Sequence, residues 1–361
     1  MSNTQPQPLE IIPSLIEIGN FVLMARVFPE RCAWYWMGKQ RPGPIAGYQR
    51  RLTLLNVLDL RRKLQSDSTR FAFVHVPIRP KRTLDQGIIR MLCGDFGMLA
   101  FREALSMNQC PVIGLDFNDA TELSDTAVKI LERSLCFFKR ELPTDIRRLL
   151  PRNATDAQQK TVEQNAHKLM PISLGLCSGR ISNLPQQPEI KKYDLFFSGD
   201  TSSEVRRGEI QLLEKLKALG VKVYQPESRL TQQEFLKKCA QSYLVWSPEG
   251  AGWDCFRHYE AAAAGSVPVM NTPPMTCYQP LCHRQHALYY LSEIRNKGAS
   301  GPLFASISDG FVTTVTKALK ERQLLESMGA AAREFVLRHH THAAIVNHIL
   351  DTAESLHSSL R

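Results

Sequence analysis

Short apolar runs alternate with stretches of helical periodicity along most of the chain. The runs at 71–76 and 111–116 are typical of buried strands, and amphipathic patterns fill the segments between such runs. Because strands that alternate with helices form parallel βα units, the pattern predicts an α/β fold. Residues 177–192 lack periodicity and contain Ser, Gly, Asn, Pro and Gln, so we expect a linker there between two domains, 1–176 and 193–340.

The same pattern predicts the individual elements. Further strands are expected at 21–27, 135–138, 194–197, 221–224, 243–246, 267–270 and 287–291. Helices are expected at 87–106, 122–134, 155–168, 204–219, 231–240, 256–264, 309–321, 323–338 and 342–357. The aromatic stretch around Trp34 and Trp36 leaves two interpretations open: a strand with one face in a core, or rings that stack on sugars or nucleobases beside basic residues.

A strand, a glycine turn and a helix follow one another within 244–271. The apolar run up to Trp246 is the strand, Gly250 and Gly252 form the turn, and we place Asp254 as the N-cap of the helix. A turn of this kind directs backbone N–H groups and the positive end of a helix to one place, and glycine lets an anion come close. We therefore predict an anion-binding site here.

Three charged side chains surround this turn. Glu249 precedes it, Arg257 lies in the first turn of the helix, and Glu260 lies three residues further on the same helix face. Arg257 and Glu260 could simply pair with each other on the helix surface. The alanines at 261–264 favour a functional role, because small residues let the helix press on the sheet near the strand ends, where open α/β sheets bind ligands.

A second loop of small residues precedes the helix predicted at 204–219. Ser198 and Gly199 lie in this loop, and Arg206 and Arg207 fall in the first helical turn, where the helix dipole disfavours cations. Solvated arginines are one explanation, and a bound anion is the other. A charge-assisted contact to phosphate contributes roughly 1.5–3 kcal/mol, which exceeds the dipole penalty, so we expect a second phosphate-facing element here.

Charge is distributed unevenly along the 361 residues, whose net charge is +10. The segment 41–90 alone carries 11 Lys/Arg against three Asp/Glu. It forms either a solvated surface or a site for an anionic partner such as a glycan, a lipid surface or nucleic acid.

The composition disfavours several classes of protein. No apolar run approaches the roughly 20 residues that span a bilayer, and the N-terminus lacks the basic and apolar regions of a signal peptide. Nine scattered cysteines do not form a disulfide framework, which predicts reduced thiols and a cytoplasmic location. Cys277, Cys282 and His283 lie close together, but one cluster without a second ligand pair is a poor zinc site, so we expect no metal.

The sequence WSPEGAGWDCFRHYEAAAAGSVPV, at 246–269, resembles the nucleotide-sugar-binding signature of GT-B glycosyltransferases. The resemblance is to the exostosin-like and spore-coat-type bacterial branch, whose pattern is G-x-G-x-D-x-x-R-x-x-E-A-x-A-x-G-x-V-P-V. YDLFFSGD at 193–200 resembles the first strand and loop of the same domain, and FFKREL at 137–142 and PISLGL at 171–176 resemble the segment before the domain crossover. The likeness extends over about 110–355.

This resemblance implies a GT-B fold, in which two Rossmann-like domains face each other across a cleft. It implies that the second domain holds a nucleotide-diphosphate sugar as donor, that no catalytic metal or other cofactor takes part, and that residues 341–361 pack back toward the first domain.

The resemblance also implies roles for single residues. Glu260 would accept hydrogen bonds from the ribose, and Arg257 with the 250–252 turn would hold the diphosphate. Tyr224 would flank the base. The role of Glu249 stays open, with a contact to the donor sugar as one candidate, because ten residues separate it from Glu260 where many family members have seven.

The predicted activity is transfer of the sugar to an acceptor of unknown identity: an anionic glycan, a lipid-linked or membrane-proximal molecule, or nucleic acid. If the reaction inverts the anomeric centre, a base of the first domain must take the acceptor's proton, and His75 and Asp116 at strand ends are the candidates. If it retains the configuration, no such base is needed. The alternatives are a nucleic-acid-binding protein, a transferase that acts on modified DNA, and a nucleotide-sugar epimerase.

Overall fold

The computed structural model describes residues 14–19, 22–36, 48–51, 54–77, 106, 110–201, 203–294 and 309–359. The helix predicted at 87–106 lies outside these ranges except for its last residue, and so does much of the basic segment 41–90. Every strand pair in the two sheets described below is parallel, which confirms the predicted α/β class.

Two parallel sheets organise the described residues. The seven-stranded sheet has the order β3-β2-β1-β4-β5-β6-β7 and comprises β1 Leu15–Ile18, β2 Cys32–Trp36, β3 Gln49–Arg51, β4 Phe71–His75, β5 Val112–Asp116, β6 Cys136–Lys139 and β7 Leu169–Pro171. The five-stranded sheet has the order β12-β11-β10-β8-β9 and comprises β8 Tyr193–Phe196, β9 Val223–Tyr224, β10 Ser242–Trp246, β11 Val267–Asn271 and β12 Leu288–Tyr290. We call the described part of the chain up to residue 176, which forms the seven-stranded sheet, the first half. The part from residue 193 to residue 340, which forms the five-stranded sheet, is the second half.

Helices connect the strands and cover the sheets. They are α1 Met24–Val27, α2 Leu54–Leu64, α3 Asp125–Arg133, α4 Asp156–Asn165, α5 Ser178–Ile181, α6 Glu204–Glu209, α7 Leu212–Ala218, α8 Gln232–Ala240, α9 Phe256–Ala263, α10 Phe311–Ala318, α11 Arg322–His339 and α12 His342–Ser359. A capping box formed by Thr231 and Glu234 opens α8. Within the described ranges, none of these helices combines the length and apolar character needed to cross a bilayer.

The first sheet is covered on both faces, which explains its continuous apolar strands. Every residue of β4 is buried. Ala72 and Val74 belong to the apolar cluster on one face of the sheet. Phe71 and Phe73 belong to the cluster on the other face, which also contains Ile345 of α12. The last helix of the chain therefore packs on the sheet of the first half.

Small residues hold α9 close to its neighbours in the second half. Ala261, Ala262 and Ala263 are fully buried. A Cβ added at Gly329 of α11 would lie 2.5 Å from the carbonyl oxygen of Gly265, so the two segments could not approach this closely with a larger residue. This packing fixes the C-terminal part of α9 against α11.

The strand predicted at 21–27 is wrong, because the chain forms the short helix α1 there. The fully buried carboxylate of Glu17 accepts hydrogen bonds from the backbone N–H groups of Leu23, Met24 and Ala25 at 2.7, 3.2 and 2.9 Å. These bonds satisfy donors that a helix N-terminus leaves open, and they outweigh the strand propensity of the apolar residues.

Other predictions change in detail. The helix predicted at 204–219 is divided into α6 and α7, with Leu213 N–H bonded to the carbonyl of Ile210 in a tighter turn. The segment 177–192 contains the short helix α5. Trp34 is fully buried, and its Nε1 donates to the carbonyl of Gly19 at 3.2 Å. For Trp34 the core interpretation is therefore correct. Its buried ring is not accessible for stacking on a sugar or a nucleobase.

Candidate active site

The carboxyl ends of strands from both sheets border one cleft. An inner cavity of about 430 Å³ separates the two halves. The first half lines it with His75, Val76, Phe117, Asn118, Asp119, Arg140 and Leu174, and the second half with Asp200, Arg206, Gly250, Ala251, Gly252, Asp254, Cys255 and Phe256. The ligand site that the sequence predicts at the ends of the strands thus coincides with a real cavity.

An outer cavity of about 660 Å³ continues from the inner one along the second half. Both cavities are bordered by Asp200, Arg206, Cys255 and Phe256, so they form one cleft. The outer cavity is further lined by Arg180, Ser198, Gly199, Pro226, Glu227, Ser228, Arg229, Leu230, Thr231, Gln232, Phe235, Arg257 and Glu260. Most of the residues that the sequence singles out in the second half therefore line one or the other of these two cavities.

The glycine turn is fixed by the first half of the chain. The backbone N–H groups of Trp253 and Asp254 donate to the two carboxylate oxygens of Glu141 at 3.1 and 3.0 Å. A Cβ added at Gly252 would lie 2.4 Å from Glu141 Oε1 and 2.5 Å from Arg140 Nη2, so a larger residue would displace these two side chains. These two N–H groups are thus occupied, which leaves the diphosphate-binding role predicted for the turn to its remaining groups.

Asp254 is not the N-cap of the helix, which corrects the prediction. Cys255 occupies the cap position of α9, and no side chain caps the helix there. The Asp254 carboxylate instead accepts from the Leu174 N–H at 2.8 Å and from the Tyr259 hydroxyl. Leu174 is a buried donor of the first half and Tyr259 is a buried donor of α9, so the carboxylate links the two halves.

Two arginines bring unsatisfied donors to the cleft. Arg206 is only 6% exposed, and its Nε has no hydrogen-bond partner. Arg257 has two such atoms, Nε and Nη1, and its guanidinium lies over the Phe197 ring at 5.4 Å from the centroid. Burial, with the like charge of Arg257, lowers the pKa of Arg206. Arg206 is buried and Arg257 is half-buried, and guanidinium groups with open N–H groups are suited to bind an anion.

The small residues at 198–199 make room for these arginines. A Cβ added at Gly199 would lie 2.2 Å from Arg257 Nη2, so a larger residue would displace the guanidinium. The Ser203 hydroxyl accepts from the Arg206 N–H at 3.2 Å and caps α6. Arg207 is exposed and lies outside the lining of both cavities.

The carboxylate of Glu260 does not pair with Arg257. Its Oε1 accepts from Arg180 Nη1 and, at 2.6 Å, from Gln232 Nε2. Arg180 also lies over the Phe256 ring, 4.1 Å from the centroid. Sequence reasoning missed Arg180 and Gln232, because neither the linker nor the start of α8 shows which carboxylate it will reach.

Two further candidates lie outside the cleft lining. Glu249 is buried, and its Oε2 accepts from Asn271 Nδ2 at 3.0 Å. Tyr224 stacks on Tyr193 with ring centroids 4.7 Å apart. The residues that follow Tyr224, from Pro226 onward, line the outer cavity instead.

The two candidate bases have different surroundings. His75 ends β4 and lines the inner cavity, and its Nε2 lies 2.8 Å from Glu17 Oε1. Asp116 ends β5 but does not line the cavity. Its carboxylate pairs with Lys139 Nζ at 2.8 Å and accepts from Asn118. Geometry therefore favours His75, which Glu17 orients as the partner residue of a base does.

No group of three His, Cys, Asp or Glu side chains among the described residues is placed to hold a metal ion. The prediction of a metal-free reaction stays a prediction.

Comparisons with known proteins give the fold. Residues 214–297 match a family model described as the RXYLT1 C-terminal domain. No curated protein matches the chain. A sucrose-phosphate synthase from Thermosynechococcus elongatus has a similar structure, with a TM-score of 0.51 and 9% identity, over 96% of this chain and 100% of that one. A glycosyltransferase from Rickettsia africae gives a TM-score of 0.53 and 8% identity, over 95% of this chain and 98% of that one. The predicted GT-B fold is confirmed.

Proposed function

We propose that the chain is a glycosyltransferase that transfers a sugar from a nucleotide-diphosphate sugar to an acceptor. The observation that carries this proposal is the pair Arg206 and Arg257, which line a cleft that also contains Glu260 and which keep buried nitrogens without a hydrogen-bond partner. The match of residues 214–297 and the GT-B fold support it.

The two arginines act on the leaving group. As the bond between sugar and diphosphate breaks, negative charge accumulates on the diphosphate. Donors that are already in place interact more strongly with that developing charge than with the ground state, so they lower the barrier. Arg206 Nε and the Nε and Nη1 atoms of Arg257 have no partner to give up when the diphosphate binds.

Glu260 holds the ribose in this proposal. Arg180 and Gln232 both contact Oε1, so Oε2 can accept hydrogen bonds from the ribose hydroxyls. Arg180 fixes the carboxylate in one orientation, which reduces the entropy that binding would cost.

His75 is the proposed base if the reaction inverts the anomeric centre. It lines the inner cavity together with Arg206, and Glu17 would hold its ring in place while His75 takes the acceptor's proton.

The roles of the two halves follow from the same proposal. The donor belongs to the domain 193–340 and the acceptor to the domain 1–176, with the linker 177–192 between them and 341–361 on the acceptor side. The packing of Ile345 on the first sheet supports the last assignment.

An anionic or membrane-proximal acceptor and a cytoplasmic location are also proposals. The exposed Arg50, Arg51, Arg61 and Arg62 support the acceptor class, because they place positive charge on the first half. The eight free cysteines of the described residues support a reducing compartment.

The test begins with a panel of nucleotide sugars screened by thermal stabilisation, since bound ligand raises the melting temperature. The nucleotide that binds is then titrated by calorimetry into Arg257→Gln and into Arg207→Gln, a neighbouring arginine outside the cleft. We expect Arg257→Gln to bind at least about tenfold more weakly, as loss of a charge-assisted contact requires, and Arg207→Gln to bind normally. Equal affinity in both variants, or no stabilisation by any nucleotide sugar, would contradict the proposal.

A further inference from the structure

A cysteine lies where the two cavities meet. Cys255 is partly exposed and lines both the inner and the outer cavity. It is the N-cap residue of α9, whose first turn has no side-chain cap. The proposed transfer reaction gives this thiol no role, although the start of a helix is a place that stabilises a thiolate.

His258 lies against the sulfur of Cys255. The Sγ atom is 3.5 Å from Nε2 and 3.7 Å from Nδ1 of the imidazole. Both nitrogens also have oxygen partners: Nε2 lies 2.8 Å from the Trp253 carbonyl, and Nδ1 lies 2.7 Å from the Ser247 hydroxyl. These bonds fix the ring, so a protonated His258 would hold its charge beside the sulfur.

Two guanidinium groups lie near the sulfur of Cys255. Arg206 is only 6% exposed, and it lines both cavities together with Cys255. Its Nε has no hydrogen-bond partner. Arg257 follows Cys255 by two residues and also has unpartnered nitrogens. Burial alone would raise the pKa of the Cys255 thiol, but the charges of His258, Arg257 and Arg206 outweigh burial and lower the pKa to about 6.

The acidic side chains near the sulfur, Asp254 and Asp200, have other hydrogen-bond or ion-pair partners. Asp254 precedes Cys255, but its oxygens accept from the Leu174 N–H and the Tyr259 hydroxyl, and Oδ2 lies 3.9 Å from Arg140 Nε. Asp200 borders both cavities and pairs with Arg206 at 3.4 Å. The balance of charge around the sulfur therefore remains positive.

We propose that Cys255 is a covalent modification site that forms a mixed disulfide with small anionic disulfides. Its thiolate attacks one sulfur of the disulfide, the S–S bond breaks, and the departing thiolate keeps the electron pair. Exchange of this kind needs no other oxidant. Arg206 and Arg257 attract the anionic reagent, and the attached group occupies the junction of the two cavities. That the attached group also excludes the donor rests on the function proposed above.

The probe is dithiobis(nitrobenzoate), an anionic aromatic disulfide whose released thiolate is coloured, and mass spectrometry identifies the residue it modifies. At pH 5.5 a thiol of pKa about 6 has on the order of two hundred times the thiolate fraction of an ordinary cysteine. Its lower nucleophilicity offsets about tenfold of that advantage. We therefore expect one thiol of the full chain to react about twentyfold faster than the others at pH 5.5.

The variants assign this fast reaction. It should disappear in Cys255→Ser and persist in Cys282→Ser, which removes another partly exposed thiol. His258→Asn keeps the thiol but removes a charge, so the fast reaction should slow at pH 5.5 and recover as the pH rises. Melting temperatures check that each variant is folded. A fast reaction that survives in Cys255→Ser, or wild-type protein without one, would overturn the assignment.

Inorganic pyrophosphate separates this proposal from the proposed function. If the cleft binds diphosphates, pyrophosphate should slow the fast reaction, because it covers the sulfur and its negative charge raises the pKa of the thiol. If the reaction depends on Cys255 but pyrophosphate does not change its rate, the diphosphate site is contradicted and the modification site stands.

Discussion

The two sides of the cleft treat buried charge in opposite ways. On the first half, ionisable side chains are paired: Lys139 with Asp116 at 2.8 Å, and His75 with Glu17 at 2.8 Å. On the second half, the described part of the chain gives Arg206 Nε no hydrogen-bond partner at all. The same is true of Nε and Nη1 of Arg257.

This difference separates positioning from binding. A buried charge that has a partner holds two segments in place, whereas a buried donor without one costs roughly 1–3 kcal/mol until a ligand supplies the acceptor. The paired charges of the first half therefore hold that side of the cleft in place. The second half provides donors whose hydrogen-bond acceptor comes from a ligand. If this view is right, removing a charge must have opposite effects on stability on the two sides.

The largest effect is expected for Lys139→Met. Lys139 is fully buried, and its loss leaves the buried carboxylate of Asp116 without its ion-pair partner. Breaking one partner of a buried pair costs about 3–5 kcal/mol of unfolding free energy, which urea denaturation can measure. Lys129→Met, at an exposed site on α3, should change stability little.

A double variant tests whether the pair itself is responsible. Asp116→Asn added to Lys139→Met removes the unpaired charge, and we expect it to recover much of the lost stability. Two results would contradict this view of the first half: a single variant as stable as wild type, or a double variant no more stable than the single one. Either would mean that pairing of Lys139 with Asp116 does not stabilise the fold.

The sequence predicts the elements of this cleft better than its contacts. The strand at 71–75 and the helix that begins at 256 follow from local patterns. The α/β class also follows from the alternation of strand and helix, and the resemblance carried by the motif at 246–269 implies the GT-B fold. Apolar periodicity is a local property, so it identifies the elements that carry the site.

The partners of the site residues could not be predicted in this way. Glu17 and His75 are 58 residues apart in sequence, and Glu141 reaches the N–H of Trp253 across 112 residues. No local pattern encodes which carboxylate meets which donor. A buried carboxylate in an apolar strand, as at Glu17, is the signal that could have indicated a partner, since such a group is rarely left unpaired.

A smaller effect is expected from the pH dependence of stability at Glu141, where the two halves meet. Burial raises the pKa of this carboxyl from 4.5 to about 7, against the opposing charge of Arg140. Between these two values the folded chain holds a proton that the unfolded chain has lost. Stability from Glu141 is therefore present at low pH and is lost as the pH rises toward 7.

Glu141→Gln removes this titration. We expect the unfolding free energy of wild type to fall between pH 5 and 7 more steeply than that of the variant, by at most about 1.4 kcal/mol per pH unit. The comparison uses slopes, so a constant cost of placing an amide against the N–H of Trp253 does not matter. The exposed Glu163→Gln serves as control, and parallel curves for wild type and Glu141→Gln would refute the raised pKa.

The smallest effect is expected for Arg206→Met, and its sign is what matters. Methionine keeps an unbranched side chain in the buried site and removes a charge whose contacts are long, 3.4 Å to Asp200 and 3.5 Å to the Pro248 carbonyl. Because the unpartnered Nε is removed as well, the ligand-free variant should be as stable as wild type or up to about 1 kcal/mol more stable. Saturating pyrophosphate should then raise the melting temperature of wild type and leave that of the variant nearly unchanged. A ligand-free variant destabilised as much as Lys139→Met would mean that Arg206 serves the fold, and the contrast between the two sides of the cleft would be lost.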